Sequence, residues 1–207
     1  HGFEVVSHPM TLDYHASKMP WEDTMKKLIN FGYRSHQTNT CGLHVHVNRD
    51  SLGVTESEQE ETLAKILFFV ELDWSELVKF TRRAKSRLDR WASRYGYETK
   101  AKKIFDKAKE CGRYTAVNLQ NEHTIEFRVF RGTLKYNTFV ATLQFVNAIC
   151  NFACTMSEDD IEKTELDENY VFNEKEYTDD LENKLSEMIS LINGAGRTRV
   201  IVTLECD

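Results

Sequence analysis

The chain has 207 residues, 41% hydrophobic and 29% charged, with a formal net charge of −6. These are ordinary values for a globular protein, and with two prolines and nine glycines they exclude collagen-like, linker-rich and low-complexity classes. No apolar run approaches the ~20 residues that cross a bilayer, since the longest, within 139–154, is interrupted by Thr142, Gln144, Asn147 and Asn151.

At this length one core is expected, hence a single domain over 1–207. The five cysteines (Cys41, Cys111, Cys150, Cys154, Cys206) form no CxxC pair and are odd in number, which points to a reducing, cytoplasmic setting. Cys150 and Cys154, four apart on an apolar helical stretch, read as core thiols. No secretory signal is visible, and a first residue of His1 rather than Met points to processing or to a longer parent chain. Charge is unevenly spread. Positions 79–113 hold 13 Lys/Arg against four Asp/Glu, whereas 157–182 hold 12 Asp/Glu against two Lys. The basic block, with Arg82, Arg83, Arg87, Arg90, Arg94 and Arg113, suits phosphate or a solvated face paired with the acidic segment. No zinc finger or RNA-binding aromatic motif accompanies it, so neither nucleic acid nor a membrane is expected as a partner.

In chain order, 2–7 (GFEVVS) reads as a short strand closed by His8-Pro9. Pro20 opens a helix over 21–31 that Gly32 stops. Residues 41–48 alternate perfectly, with Leu43, Val45 and Val47 on one side and His44, His46 and Asn48 on the other, which predicts a half-buried strand. Thr55-Glu56-Ser57-Glu58 forms a capping box and opens a long helix carrying Leu63, Ile66, Leu67, Val70, Trp74, Leu77 and Val78. One helix or two then carry 82–110, and Gly112 breaks the pattern.

Residues 113–119 and 124–130 predict an antiparallel hairpin, the second strand placing Ile125, Phe127 and Val129 opposite Thr124, Glu126 and Arg128. Asn137 caps an apolar helix reaching about Met156. An acidic loop over about 157–180, a helix from Asp179/Asp180 to Gly194 and a strand over 200–204 complete the chain. Strands and helices without regular βαβ alternation give an α+β class with an antiparallel sheet. Helices should cover its apolar face and leave the polar face open.

That polar face carries the chemistry. Side chains two apart on a strand stand ~7 Å apart, so one ion or one polyphosphate reaches both His44 and His46. Glu126 beside Arg128 pairs a ligand for a hard cation with a fork for phosphate oxygens. The same residues would also serve as a cross-strand ion pair on a solvated face.

CGLHVHV, then RYTAVNL, then TIEFRVFRGTL, resemble in order and spacing the amidoligase family of bacterial and phage genomes. These carboxylate–amine ligases are related to glutamine synthetase and the glutamate–cysteine ligases. The resemblance covers roughly 2–145, the GFEVVSHPM start included, and implies a glutamine-synthetase-like curved antiparallel sheet with helices on one face. It implies an ATP-dependent ligase that activates a small-molecule or peptide carboxylate as an acyl phosphate, which an amine captures. On this reading Glu4, His44 and Glu126 hold Mg²⁺ or Mn²⁺, and His46 contacts metal or nucleotide phosphate. Arg128 and Arg131 neutralise the transferring phosphoryl group, with Arg113 and Asn118 as phosphate and substrate contacts. These parts suit phosphoryl transfer, which needs positioning and charge neutralisation more than covalent help. The family's opening strand bears a Glu-x-Glu pair, and none precedes Gly2 here, so that strand is expected to lie upstream of His1, to come from a partner, or to be lost in a degenerate site. The alternatives are a non-catalytic binding or virion-associated module on the same fold, or a zinc hydrolase built on two His and one Glu.

Overall fold

The computed structural model describes residues 2–36, 38, 40–72, 74–157 and, as a strand, 199–206. The expected acidic loop and the helix ending at Gly194 lie outside the described residues. Strand β1 (Phe3–Val6) and a two-residue strand, β2 (Met10–Thr11), precede helix α1 (Leu12–Ser17). The helix α2 (Trp21–Asn30) follows Pro20 and ends where Gly32 adopts φ 88°. There the amide of Tyr33 donates to Leu28 O and that of Gly32 to Ile29 O, the paired C-terminal bonds that a left-handed glycine permits.

β3 (Gly42–Asn48) forms as its alternation predicts. The capping box then opens α3 (Glu56–Leu72): Thr55 Oγ1 accepts from the amide of Glu58, and Glu58 Oε2 accepts from those of Thr55 and Val54. Helices α4 (Trp74–Thr81), α5 (Lys85–Trp91) and α6 (Ala101–Lys109) follow. β4 (Val117–Asn118) and β5 (Thr124–Arg131) make the expected hairpin, although β4 is shorter than the stretch that predicted it. α7 (Tyr136–Thr155) begins at Lys135 and not at Asn137; Lys135 gives no side-chain cap, so Asn137 sits inside the first turn. By length and composition alone α7 is long and apolar enough to cross a membrane, which the reading of its interrupted apolar run did not anticipate. Its Phe139, Leu143, Val146, Cys150 and Ala153 lie in the core instead. Cys154, expected beside Cys150 in that core, is exposed.

The sheet order is β1-β6-β3-β5-β4, with β6 (Arg199–Cys206) seated between the first and third strands in sequence and β2 also pairing with it. Every pairing between these strands is antiparallel. Leu43, Val45, Val47, Ile125, Phe127 and Val129 are buried in one core with Leu63, Ile66 and Leu67 of α3 and the inner residues of α7. Burying a Leu- or Phe-sized side chain contributes about 1.5–3 kcal/mol, so this row sets the pairing register.

A bulge modifies that register. Val45 stands opposite Phe127 but Leu43 opposite Phe130, so Arg128 and Val129 both face His44 and Arg131 falls opposite Gly42. The extra residue shifts the alternation of β5 by one, which the sequence periodicity does not announce.

The open polar face expected from the alternation also fails to form. His44, Glu126 and Arg128 are each 5–6% exposed. The segment around α5 closes over them: Arg83 donates to the carbonyl of Arg128, and Arg128 Nε to that of Trp91. Ser93 and Thr115 form a bridge beside this cover. Arg83 is thus buried as part of a cover on the sheet, while most other cations of the basic block stay exposed.

Candidate functional site: a buried histidine–glutamate–arginine network and an adjoining basic cleft

Glu126 is the hub. Its Oε1 accepts from Nδ1 of His44 at 3.0 Å and from Arg128, and its Oε2 accepts from Nδ2 of Asn118 at 2.7 Å. His46 Nε2 stands 3.8 Å from Oε1, too long for a hydrogen bond, while its Nδ1 meets Thr124 Oγ1 at 3.3 Å. Burial pushes the Glu126 carboxyl upward, but the His44 and Asn118 hydrogen bonds and the Arg128 charge outweigh it and hold the group at about 2. His46 is lowered from its ordinary value, first by burial and further by the charges of His44 and Arg128, with Glu126 opposing.

Local sequence explains the placement. The strand β3 carries its two imidazoles on the face opposite Leu43, Val45 and Val47, and His46 pairs directly with Glu126. Asn118 faces Glu126 from β4, and its Oδ1 accepts from the amide of Gln120, so its amide group is fixed toward the carboxylate. Gly42 is glycine because the His44 ring lies over it: a Cβ there would meet His44 Nε2 at 2.8 Å. With Nδ1 donating to Glu126, Nε2 of His44 is left buried without a hydrogen-bond partner. A carboxylate that orients an imidazole through one nitrogen and leaves the other as an acceptor is the arrangement that metal-ligating histidines use.

The metal set expected from the sequence does not assemble as a whole. Glu4 is exposed on β1, and β6 separates it from β3. Val5 and Leu43 both pair with Leu204, so Glu4 falls in the row of Gly42 while Glu126 falls in that of His46. Three strand steps and four residues separate the two carboxylates, roughly 20 Å between Cα atoms, too far for one ion. Glu126 itself already has both oxygens engaged. Among the described residues no group of three or more His, Cys, Asp or Glu side chains is placed to hold a metal.

The arginines separate as well. Arg128 is internal to the network, whereas Arg131 is exposed and lines a cleft at the end of β5. Arg113 precedes β4, is exposed, and lies over the ring of Tyr114 at 5.5 Å rather than at Glu126. Sequence reasoning missed Glu71, and it named Arg83 only within a basic block suited to phosphate, whereas Arg83 donates to the Arg128 carbonyl. The buried carboxylate of Glu71 accepts from Arg94 Nε at 2.9 Å and from the amides of Tyr95 and Gly96 at 2.6 and 3.0 Å, tying down the segment after α5. A glutamate inside the apolar stretch of α3 was the available signal for it. Compared with known proteins, the chain matches no family model, no curated protein and no solved structure.

Proposed function

We propose that the protein is an ATP-dependent carboxylate–amine ligase on a glutamine-synthetase-like sheet. ATP would phosphorylate a carboxylate, releasing ADP, and an amine would attack the acyl carbon and displace phosphate. The observation that carries this reading is the network joining both strands of the resemblance: His44, His46, Asn118, Glu126 and Arg128 converge on one sheet face. Within it, Glu126 fixes the tautomer and orientation of His44, whose Nε2 is the buried acceptor left free. A divalent cation bound there would draw on His44 and His46, a donor pair that suits Mn²⁺ better than Mg²⁺, and would supply Lewis acidity toward phosphate oxygens. Its carboxylate ligands are not supplied by Glu4 and Glu126 as they stand.

One observation favours a second reading, a non-catalytic binding module: the Glu126 carboxylate is saturated by protein donors and covered. The test is ADP release that depends on both a carboxylate and an amine, together with thermal stabilisation by ATP plus Mn²⁺ or Mg²⁺. A ligand at a hundredfold excess over its dissociation constant stabilises by about 2.7 kcal/mol. The ligase reading expects that stabilisation in the parent chain and its loss in His46→Gln. Stabilisation by zinc alone would point to the hydrolase, and no response in a folded protein to the binding module.

A further inference from the structure

The cleft at the end of β5 has a volume of about 790 Å³, within the range of small-molecule sites. It is walled by the end of β5, by α2, by the 32–36 segment and by the first turn of α7. Besides Lys26, four cations line it: Arg34, Arg82, Arg131 and Lys135. The acid in its lining, Glu22, is already paired with Lys26 at 2.8 Å. Among the described residues Arg34, Arg131 and Lys135 have no carboxylate partner. Such convergence of like charge is unfavourable unless an anion relieves it.

Two details indicate a built wall rather than scattered surface charge. Gly132 takes no side chain because the buried Ser35 packs against it, and a Cβ there would collide with both the Ser35 carbonyl and hydroxyl oxygens. That contact pins the segment carrying Arg34 to the strand end carrying Arg131. On the other side Arg82 Nη1 reaches Thr138 Oγ1 at 3.5 Å. It therefore sits beside the start of α7, a 20-residue helix without a side-chain cap. A cation placed at the positive end of a helix dipole adds to the same uncompensated field. Buried Met25 and Leu134 give the cleft an apolar floor.

We propose that this cleft binds a ligand through a phosphate or oligophosphate group, with an apolar or aromatic body on the floor. A single carboxylate would leave most of the charge uncompensated, whereas pyrophosphate concentrates several negative charges within a few ångströms and suits the forks of three arginines. The resemblance counts Arg131 among the ligase residues, but the site stands without that reading, and none of the four cations is hydrogen-bonded or ion-paired to His44, Glu126 or Arg128.

The test is calorimetric titration of the folded protein with inorganic pyrophosphate, without divalent metal, at low and at high salt. Saturable binding is expected, weakened by salt, with Arg131→Gln and Arg82→Gln each costing about tenfold or more in affinity. All the changed side chains lie at the rim, so these variants should keep the fold, checked by unchanged melting. His46→Gln should leave pyrophosphate binding unaltered, and citrate should bind at least about tenfold more weakly. The proposal is overturned by absence of saturable binding, by citrate binding as tightly, or by affinity that His46→Gln removes and Arg131→Gln does not. That last result would move the phosphate to the sheet face and support the ligase site instead.

Discussion

His44 donates its Nδ1 proton to Oε1 of Glu126 at 3.0 Å while both side chains are buried, and this bond decides how the polar face behaves. The imidazole is locked in one orientation, and the carboxylate stays ionised against its burial because Asn118 and Arg128 share it. The network is thus a rigid charged cluster inside the sheet layer, and its strength should be readable as stability.

The first prediction follows from linkage. The folded Glu126 carboxyl lies at about 2 against an ordinary 4.5, so it contributes stability in full above about pH 4.5 and loses it as the pH falls toward 2. That depression corresponds to about 3 kcal/mol. Glu126→Gln should therefore destabilise by about that amount near pH 6–7, with the deficit shrinking steadily below pH 4.5. Urea unfolding of parent and variant from pH 2.5 to pH 7 measures it. A deficit that does not change with pH would mean that the carboxylate charge contributes nothing.

The second concerns Gly42→Ala. The new methyl group would meet the His44 ring, so either β3 shifts or the imidazole leaves its bond to Glu126. Overpacking of this kind costs about 1–3 kcal/mol. Nitrogen NMR of the His44 ring should show the loss of its single tautomer, and denaturant unfolding should show the cost. An unchanged ring signal would exclude the close approach.

Much of this fold is legible in the chain. Alternation at Leu43, Val45 and Val47 predicts both the strand β3 and its buried face, and Thr55 with Glu58 marks the start of α3 because the cap is a local hydrogen-bond exchange. What escapes is non-local. The bulge at Arg128 and Val129 is a pairing property, not a periodic one, and it sends Arg131 to the cleft. The seat of β6 between β1 and β3 separates Glu4 from the site and depends on contacts nearly two hundred positions apart in sequence. Burial of the polar face was hidden for a related reason: a segment rich in arginine reads as solvated. Arg83 and Arg128 are instead satisfied by carbonyls of the elements that they join.

A third prediction tests a purely local device. Thr55→Ala removes the hydroxyl that accepts from the amide of Glu58 and should destabilise by about 1 kcal/mol. The loss should appear as faster hydrogen exchange confined to the first turn of α3. Protection unchanged in that turn would show the cap to be dispensable.

The last prediction concerns Glu71, which holds the cover over the sheet. Its carboxylate serves the buried amide of Tyr95, the amide of Gly96, where the backbone takes φ 90°, and Nε of Arg94. Removing it leaves two amides without their acceptor, each costing about 1–3 kcal/mol when buried, while the half-exposed Arg94 can turn to water. Glu71→Ala should therefore destabilise by about 3 kcal/mol, largely independent of salt, and Glu71→Gln by roughly half because one amide oxygen remains. The exchange rates of the Tyr95 and Gly96 amides should rise before those of β3 do. The Tyr95 hydroxyl would then lose its anchor on the carbonyl of Val117, loosening the strand that presents Asn118 to Glu126. If Glu71→Ala proved as stable as the parent, or lost stability only at low salt, the segment after α5 would be held by something other than these two amide bonds.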